Sequence, residues 1–198
     1  MDHKIYKLLI FYGILLVILI GIVIFLAYPL VYDYFVGEEV LEKNIKEVVG
    51  NETNHEIIVP KLLNWLKGNV HYPSNETLIY IVGPQLHKID DEYRIFYRGV
   101  PASWIIHSKL GRCGEQSNYF VEIMRKLNYS VRKIEGRPCW DHAWAEYYTP
   151  ENIKIIVNPS GHRIENDPYK FANGTNCSEI WAINLDGSKE NVAKEYYP

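Results

Sequence analysis

Three side chains in the second half of this sequence are of the types that thiol acyl transfer uses: Cys113 in GRCGEQSNYF, His142 in DHAWAEYY and Asn158 in IKIIVNPS. In that chemistry a cysteine thiolate attacks a carbonyl carbon, an imidazole moves the proton, and an amide or carboxylate orients the imidazole. Gly111 and Gly114 keep the chain beside the sulfur free of bulk, so a substrate backbone can come close. The residues that follow, Phe120, Ile123, Met124 and Leu127, recur at the spacing of one helix face. That places Cys113 in the first turn of an amphipathic helix, where unsatisfied N–H groups and the macrodipole favour a thiolate.

The histidine needs a strand. Alternation in DHAWAEYY puts His142, Trp144, Glu146 and Tyr148 on one face, and the residues around Thr149, Pro150 and Glu151 turn the chain back. A turn centred on Pro150 sets His142 opposite Asn158, with Cβ atoms about 4.5–5.5 Å apart, close enough for the amide to hold the ring. Asp141 orients the ring only if the strand twists, because adjacent strand residues point to opposite faces. A zinc site built from Cys113 and Cys139-x-x-His142 lacks paired CxxC spacings, so neither metal nor cofactor is expected.

Period-two segments follow the cysteine helix in SVRKIEG, HAWAEYY, IKIIVNP, EIWAINL and NVAKEYY. A nucleophile helix packed on an antiparallel sheet is an α+β arrangement. Upstream, GEEVLEKNIKEVVG and IIVPKLLNWLKGN have helical spacing, whereas residues 72–98 are broken by Pro73, Gly83 and Pro84 and are expected to form loops and short elements.

The chain has 198 residues, 47% of them hydrophobic, enough for one medium-sized domain. With a net charge of −3 and no basic run, no nucleic-acid partner is expected. From Leu8 to Tyr32 no charged residue occurs, a stretch long enough to cross a bilayer of about 30 Å and too long for the apolar region of a cleavable signal. Lys4 and Lys7 precede it while Asp33, Glu38 and Glu39 follow, which puts the N-terminus in the cytoplasm and the rest outside. Asn51, Asn75, Asn128, Asn173 and Asn176 each open a glycosylation sequon, where about one is expected by chance. The expected organisation is a cytoplasmic N-terminus (1–7), a transmembrane helix contacting the bilayer (8–32), a helical connecting and scaffold region (33–89) and a site-bearing domain (90–198). In an outward-facing domain whose Cys113 must stay a free thiol, Cys139 and Cys177 are expected to form a disulfide bond.

GRCGEQSNYFVEIMRKLNYSVRKIEG followed by DHAWAEYYTPENIKIIVNPS resembles the transglutaminase-like superfamily. RCGE with the later DHxWxE is similar to its peptide N-glycanase branch, as is the tail INLDGSKENVAKEYY. The resemblance implies a papain-like fold with Cys113 as nucleophile and His142 as general base. The third member is usually aspartate, and Asn158 departs from that pattern; an amide orients the ring but brings no charge to stabilise imidazolium. The oxyanion hole implied is the Cys113 N–H plus a second donor, for which an upstream aromatic, Trp104, is the candidate. The expected function is a membrane-anchored extracytoplasmic glycoprotein with hydrolase or transferase activity on amide bonds of protein, peptide or glycoprotein substrates, through a cysteine thioester. The alternative is a catalytically weak or inactive module of the same fold that binds peptide or glycoprotein at the cell surface.

Overall fold

The structure, a computed structural model, describes residues 3–73, 79–80, 84–89, 91–136, 141–172, 178–184 and 186–197. One helix, α1 (His3–Val48), joins the apolar run and the connecting helix that the sequence separates. Pro29 lies inside it without ending it, because the apolar spacing carries on into Leu41 and Ile45. The helix stops where Gly50 takes a left-handed φ of 70° and the Val49 and Gly50 N–H groups return to the Ile45 carbonyl. From Ile5 to Ile24 its apolar side chains are exposed, and it is long and apolar enough to cross a bilayer.

From Phe25 onward α1 packs against the rest of the chain. Helix α2 (His55–Asn69) is capped by Asn54, whose side chain accepts from the Glu56 N–H at 2.9 Å, and buries Ile58, Leu62 and Leu66. Residues 72–98, expected as loops and short elements, hold a three-stranded antiparallel sheet: β1 (Ile79–Tyr80), β2 (Pro84–Ile89) and β3 (Glu92–Tyr97). Asp91 at φ 63° allows the tight reversal, and EYRIFY is rich in the aromatic and β-branched residues that suit a strand.

Helices α3 (Ala102–Ser108) and α4 (Cys113–Lys126) come next. In α4 the expected stripe is inside: Phe120, Ile123 and Met124 are fully buried, each burial stabilising by about 1.5–3 kcal/mol. The helices cover one face of a six-stranded antiparallel sheet made of β4 (Val131–Glu135), β5 (Ala143–Tyr148), β6 (Lys154–Asn158), β7 (Arg163–Glu165), β8 (Trp181–Ile183) and β9 (Lys189–Asn191), in the order β7-β6-β5-β4-β8-β9. Val131, Ala145, Tyr147 and Val157 point to the helices and share a core with Leu41, Ile58, Leu62 and Leu66, so this core draws on residues well upstream of 90. Ile134, Trp144 and Ile156 point the other way and are closed over by α5 (Pro168–Ala172), Ile180 and α6 (Ala193–Tyr196). The tail NVAKEYY is thus not a strand. Ala193 and Tyr196, three apart, both turn inward onto that second core, and one helical turn is what brings them to the same side.

The β5–β6 hairpin is centred one residue later than the sequence predicts. Ala145 pairs with Val157 and Glu146 with Ile156, because the loop runs from Thr149 to Ile153, closed by a 2.9 Å N–H···O bond between them, with Asn152 at φ 62°. His142 is therefore diagonal to Asn158 rather than directly opposite. A shift of two in the pairing keeps parity, so both still belong to one face.

Candidate active site

Helix α4 begins at Cys113 itself, so the preceding loop decides where the sulfur lies. That loop is held on several sides. The Gly111 N–H donates to the His71 carbonyl (3.1 Å) and the His71 N–H to the Lys109 carbonyl (2.9 Å), a parallel bridge that lays Tyr72 beside the helix start. The buried Glu115 carboxylate accepts from the Arg112 N–H at 3.1 Å and the Gly99 N–H at 2.8 Å. Gln116 Nε2 donates to the Gly111 carbonyl at 2.8 Å. The result is a half-buried thiol on the wall of a cleft of about 270 Å³ that it shares with Tyr72, Arg98, Lys133, Asp141 and His142.

His142 precedes β5 by one residue, and its carbonyl accepts from the Gly136 N–H at 3.0 Å. Its ring stacks on Trp144 (centroids 6.0 Å apart) and is hydrogen-bonded by the Asn158 side chain. Burial pushes the imidazole pKa below its ordinary 6.5, more than the Asn158 bond restores; the Arg163 charge adds to the lowering and the Asp141 charge opposes it. The ring is therefore neutral at pH 7, the form that can accept a proton. Asp141 lies on the cleft wall and acts on the ring through its charge.

Asn158 ends β6, where its Oδ1 accepts from the Gly161 N–H (3.0 Å) and Ser160 Oγ (3.2 Å). The turn that follows the strand thus fixes the amide that fixes the imidazole. A methyl group at Gly161 would come within 2.7 Å of Asn158 Nδ2 and 3.0 Å of its Cγ. Gly161→Ala is expected to rotate that amide and lower turnover by roughly tenfold to a hundredfold with little change in thermal midpoint, whereas Gly68→Ala, in α2 with open space around it, leaves turnover unchanged and raises the midpoint slightly. Turnover together with a thermal melt checks this.

Trp104 is elsewhere. It is 6% exposed and packed edge-on against Tyr28, Tyr32 and Tyr97, because α3 turns its apolar side to α1, so its indole is not among the groups lining the cleft. The hydroxyl that hydrogen-bonds the Cys113 thiol belongs to Tyr72; partial burial and then the neighbouring sulfur raise that phenol above its usual pKa, so it stays a donor at neutral pH. Neither Tyr72 nor Glu115 stands out in the sequence reading. Glu115 had a signal, since a glutamate three residues after the residue preceding a helix is the capping-box position. Tyr72 had none, being brought in only by the bridge to Leu110. Asn51 and Asn128 are exposed, while Asn75, Asn173, Asn176, Cys139 and Cys177 lie outside the described residues.

The Transglutaminase-like superfamily core matches residues 43–159, more than half of the chain. The peptide-N(4)-(N-acetyl-beta-glucosaminyl)asparagine amidase of Drosophila melanogaster is 34% identical over 80 residues, covering 40% of this chain and 12% of that protein. The protein of the same name from Candida glabrata is 27% identical over 100 residues, covering 48% and 28%. This chain therefore spans a minor part of either relative's length. A solved structure of Rad4-Rad23 crosslinked to an undamaged DNA superposes with a TM-score of 0.50 at 12% identity, over 80% of this chain and 41% of that one, a likeness of fold.

Proposed function

The chain belongs to the transglutaminase-like superfamily, and from that membership we propose that it is a membrane-anchored thiol enzyme acting on amide bonds. The observation that carries this is the convergence of Cys113 and His142 on one cleft, with the ring held by Asn158. In the reaction, His142 takes the proton from the Cys113 sulfur, which attacks the amide carbonyl carbon. The oxyanion is met by the Cys113 N–H and the Tyr72 hydroxyl. The C–N bond then breaks as imidazolium returns the proton to the leaving nitrogen, leaving a Cys113 thioester. Water, deprotonated by His142, or an amine acceptor resolves the thioester and frees the sulfur.

Two matched relatives are named as amidases of glycosylated asparagine, which favours an N-linked glycopeptide, whose side-chain amide would be opened to aspartate with release of the glycosylamine. Residues 8–32 are the membrane anchor in this reading, with the N-terminus cytoplasmic and the domain outside, bearing glycans on exposed Asn51 and Asn128 and a Cys139–Cys177 disulfide. Asn158 in place of aspartate supports a second reading, a binding module without turnover. The detergent-solubilised full chain, incubated with an asparagine-linked glycopeptide and with the same peptide unglycosylated, separates the two. Conversion of the glycosylated asparagine to aspartate, with an acyl adduct on Cys113, is expected in mass spectra. Unchanged peptides and a Cys113 whose alkylation is indifferent to His142→Ala establish the module.

A further inference from the structure

The domain does not hang from its anchor on a tether. It first touches α1 at Phe25, whose carbonyl accepts from the Tyr97 hydroxyl at 3.1 Å and whose ring packs on Tyr97. One and two turns further on, Tyr28 and Tyr32 each meet Trp104 edge-on, with centroids 5.4 Å apart, and Ser103 Oγ donates to Asp33 at 2.5 Å. From Leu8, just past Lys7, to Ile24 the helix offers only exposed side chains, nearly all apolar, and that segment is about 26 Å long at 1.5 Å per residue, close to the thickness of a bilayer core. The hydrocarbon layer therefore ends near Phe25, and the cluster of Tyr28, Tyr32, Tyr97 and Trp104 occupies the headgroup level where such rings are favoured.

The candidate site lies close to that level. Gly99, two residues beyond Tyr97 and so at most about 7 Å further along the chain, donates to Glu115 in the first turn of the Cys113 helix. A groove of about 460 Å³ continues from the cleft, sharing Gly99 and Lys133 with it. Its lining includes Leu30, which the cleft itself lacks and which is 61% exposed and about 7.5 Å above Phe25 along the axis of α1. Val121, Ile183 and Asn118 on its walls combine apolar and hydrogen-bonding surface, the mixture an extended polypeptide requires.

Resting on the thiol-enzyme and anchor readings above, we propose that the cleft takes a polypeptide segment tethered in the same bilayer, so that the amide bond attacked lies just outside the membrane surface. The groove leads such a segment from the headgroup level at Leu30 to the sulfur. A soluble chain reaches the same sulfur without this guidance and at a lower effective concentration.

The test uses the full chain in phosphatidylcholine liposomes and two electrophiles. One is soluble iodoacetamide; the other is an iodoacetyl group on phosphatidylethanolamine, through an oligoethylene glycol spacer shorter than half the distance from Phe25 to the far end of α1, about 35 Å. Peptide-resolved mass spectrometry follows Cys113 and, in a Cys113→Ser background, the site made by Glu52→Cys beyond the end of α1, half-buried like Cys113. The lipid-borne reagent is expected to modify Cys113 about tenfold faster or more than the Glu52→Cys site, while soluble iodoacetamide modifies both. Leu30→Trp, which narrows the groove, is expected to slow the lipid-borne reagent at Cys113 and leave the soluble one unaffected. Equal lipid-borne labelling at the two sites, or none at Cys113 while iodoacetamide still reacts there, overturns the proposal. Failure of iodoacetamide itself at Cys113 overturns the thiol-enzyme reading instead.

Discussion

Cys113→Ala is expected to lower turnover by about a thousandfold or more, and His142→Ala by a similar factor, with the double variant no worse than either. Non-additivity is the signature of groups that act as one unit, and two merely structural residues would not give it. The pH dependence carries the second half of the argument. Burial and Arg163 together hold His142 below its ordinary 6.5, so neutral imidazole persists as the medium is acidified and the acid limb of kcat/KM falls below pH 6.5. Arg163→Gln removes a positive charge and moves the limb up; Asp141→Asn removes a negative one and moves it down. Asn158→Asp keeps an oxygen for Gly161 and Ser160 and adds a charge beside the ring, raising the limb further. A pH–rate profile of each variant checks the order. A limb that stays in place through all three substitutions separates His142 from the reaction.

Arg132→Met is expected to destabilise the fold by about 3–5 kcal/mol, a fall of roughly 10 °C in thermal midpoint for a chain of this size. Glu146, wholly buried on β5, is the reason. Its carboxylate is ion-paired with Arg132 at 2.7 Å and Lys154 at 3.5 Å and accepts a hydrogen bond from the Tyr196 hydroxyl, which in turn accepts from Trp144 Nε1 at 2.7 Å. Burial opposes the charge on Arg132, but the Glu146 carboxylate overrides it and raises the guanidinium above its usual value. Burial, followed by the same carboxylate, holds the Tyr196 phenol protonated. Removing the arginine strands a carboxylate away from water, whereas Lys154→Met removes only a more distant partner and costs less. The pair variant Arg132→Met with Glu146→Gln is expected to recover much of the loss, since neither charge remains to be compensated and the amide oxygen still accepts from the Tyr196 hydroxyl. Thermal or urea melts of the three variants decide it; a double variant worse than Arg132→Met refutes the account.

The parts of the site that were legible in the sequence are those that local periodicity encodes. Phe120, Ile123 and Met124 mark a helix face and so put Cys113 in its first turn, and alternation along HAWAEYY puts His142, Trp144 and Glu146 on one side. The apolar composition of residues 8–32 marks a membrane-length segment for the same reason, that one property repeats at a fixed spacing. The register of β5 on β6 was legible only to parity, because a loop conformation, with Asn152 left-handed, decides the last residue. The small sheet at 79–97 was hidden by its prolines and glycines, which signal turns more strongly than short strands signal themselves.

What only the tertiary structure decided is which distant groups meet. Tyr72 reaches the thiol through a bridge between His71 and Leu110, and Trp104, a plausible donor by its position upstream, is drawn instead to Tyr28 and Tyr32. The fusion of the apolar run and the connecting helix into α1, and the seating of the domain on it from Phe25 onward, likewise depend on contacts across more than seventy positions, such as Tyr97 to Phe25. Periodicity fixes the face of an element because backbone geometry repeats along the chain, whereas a contact between elements depends on side chains far apart in sequence and carries no local signal.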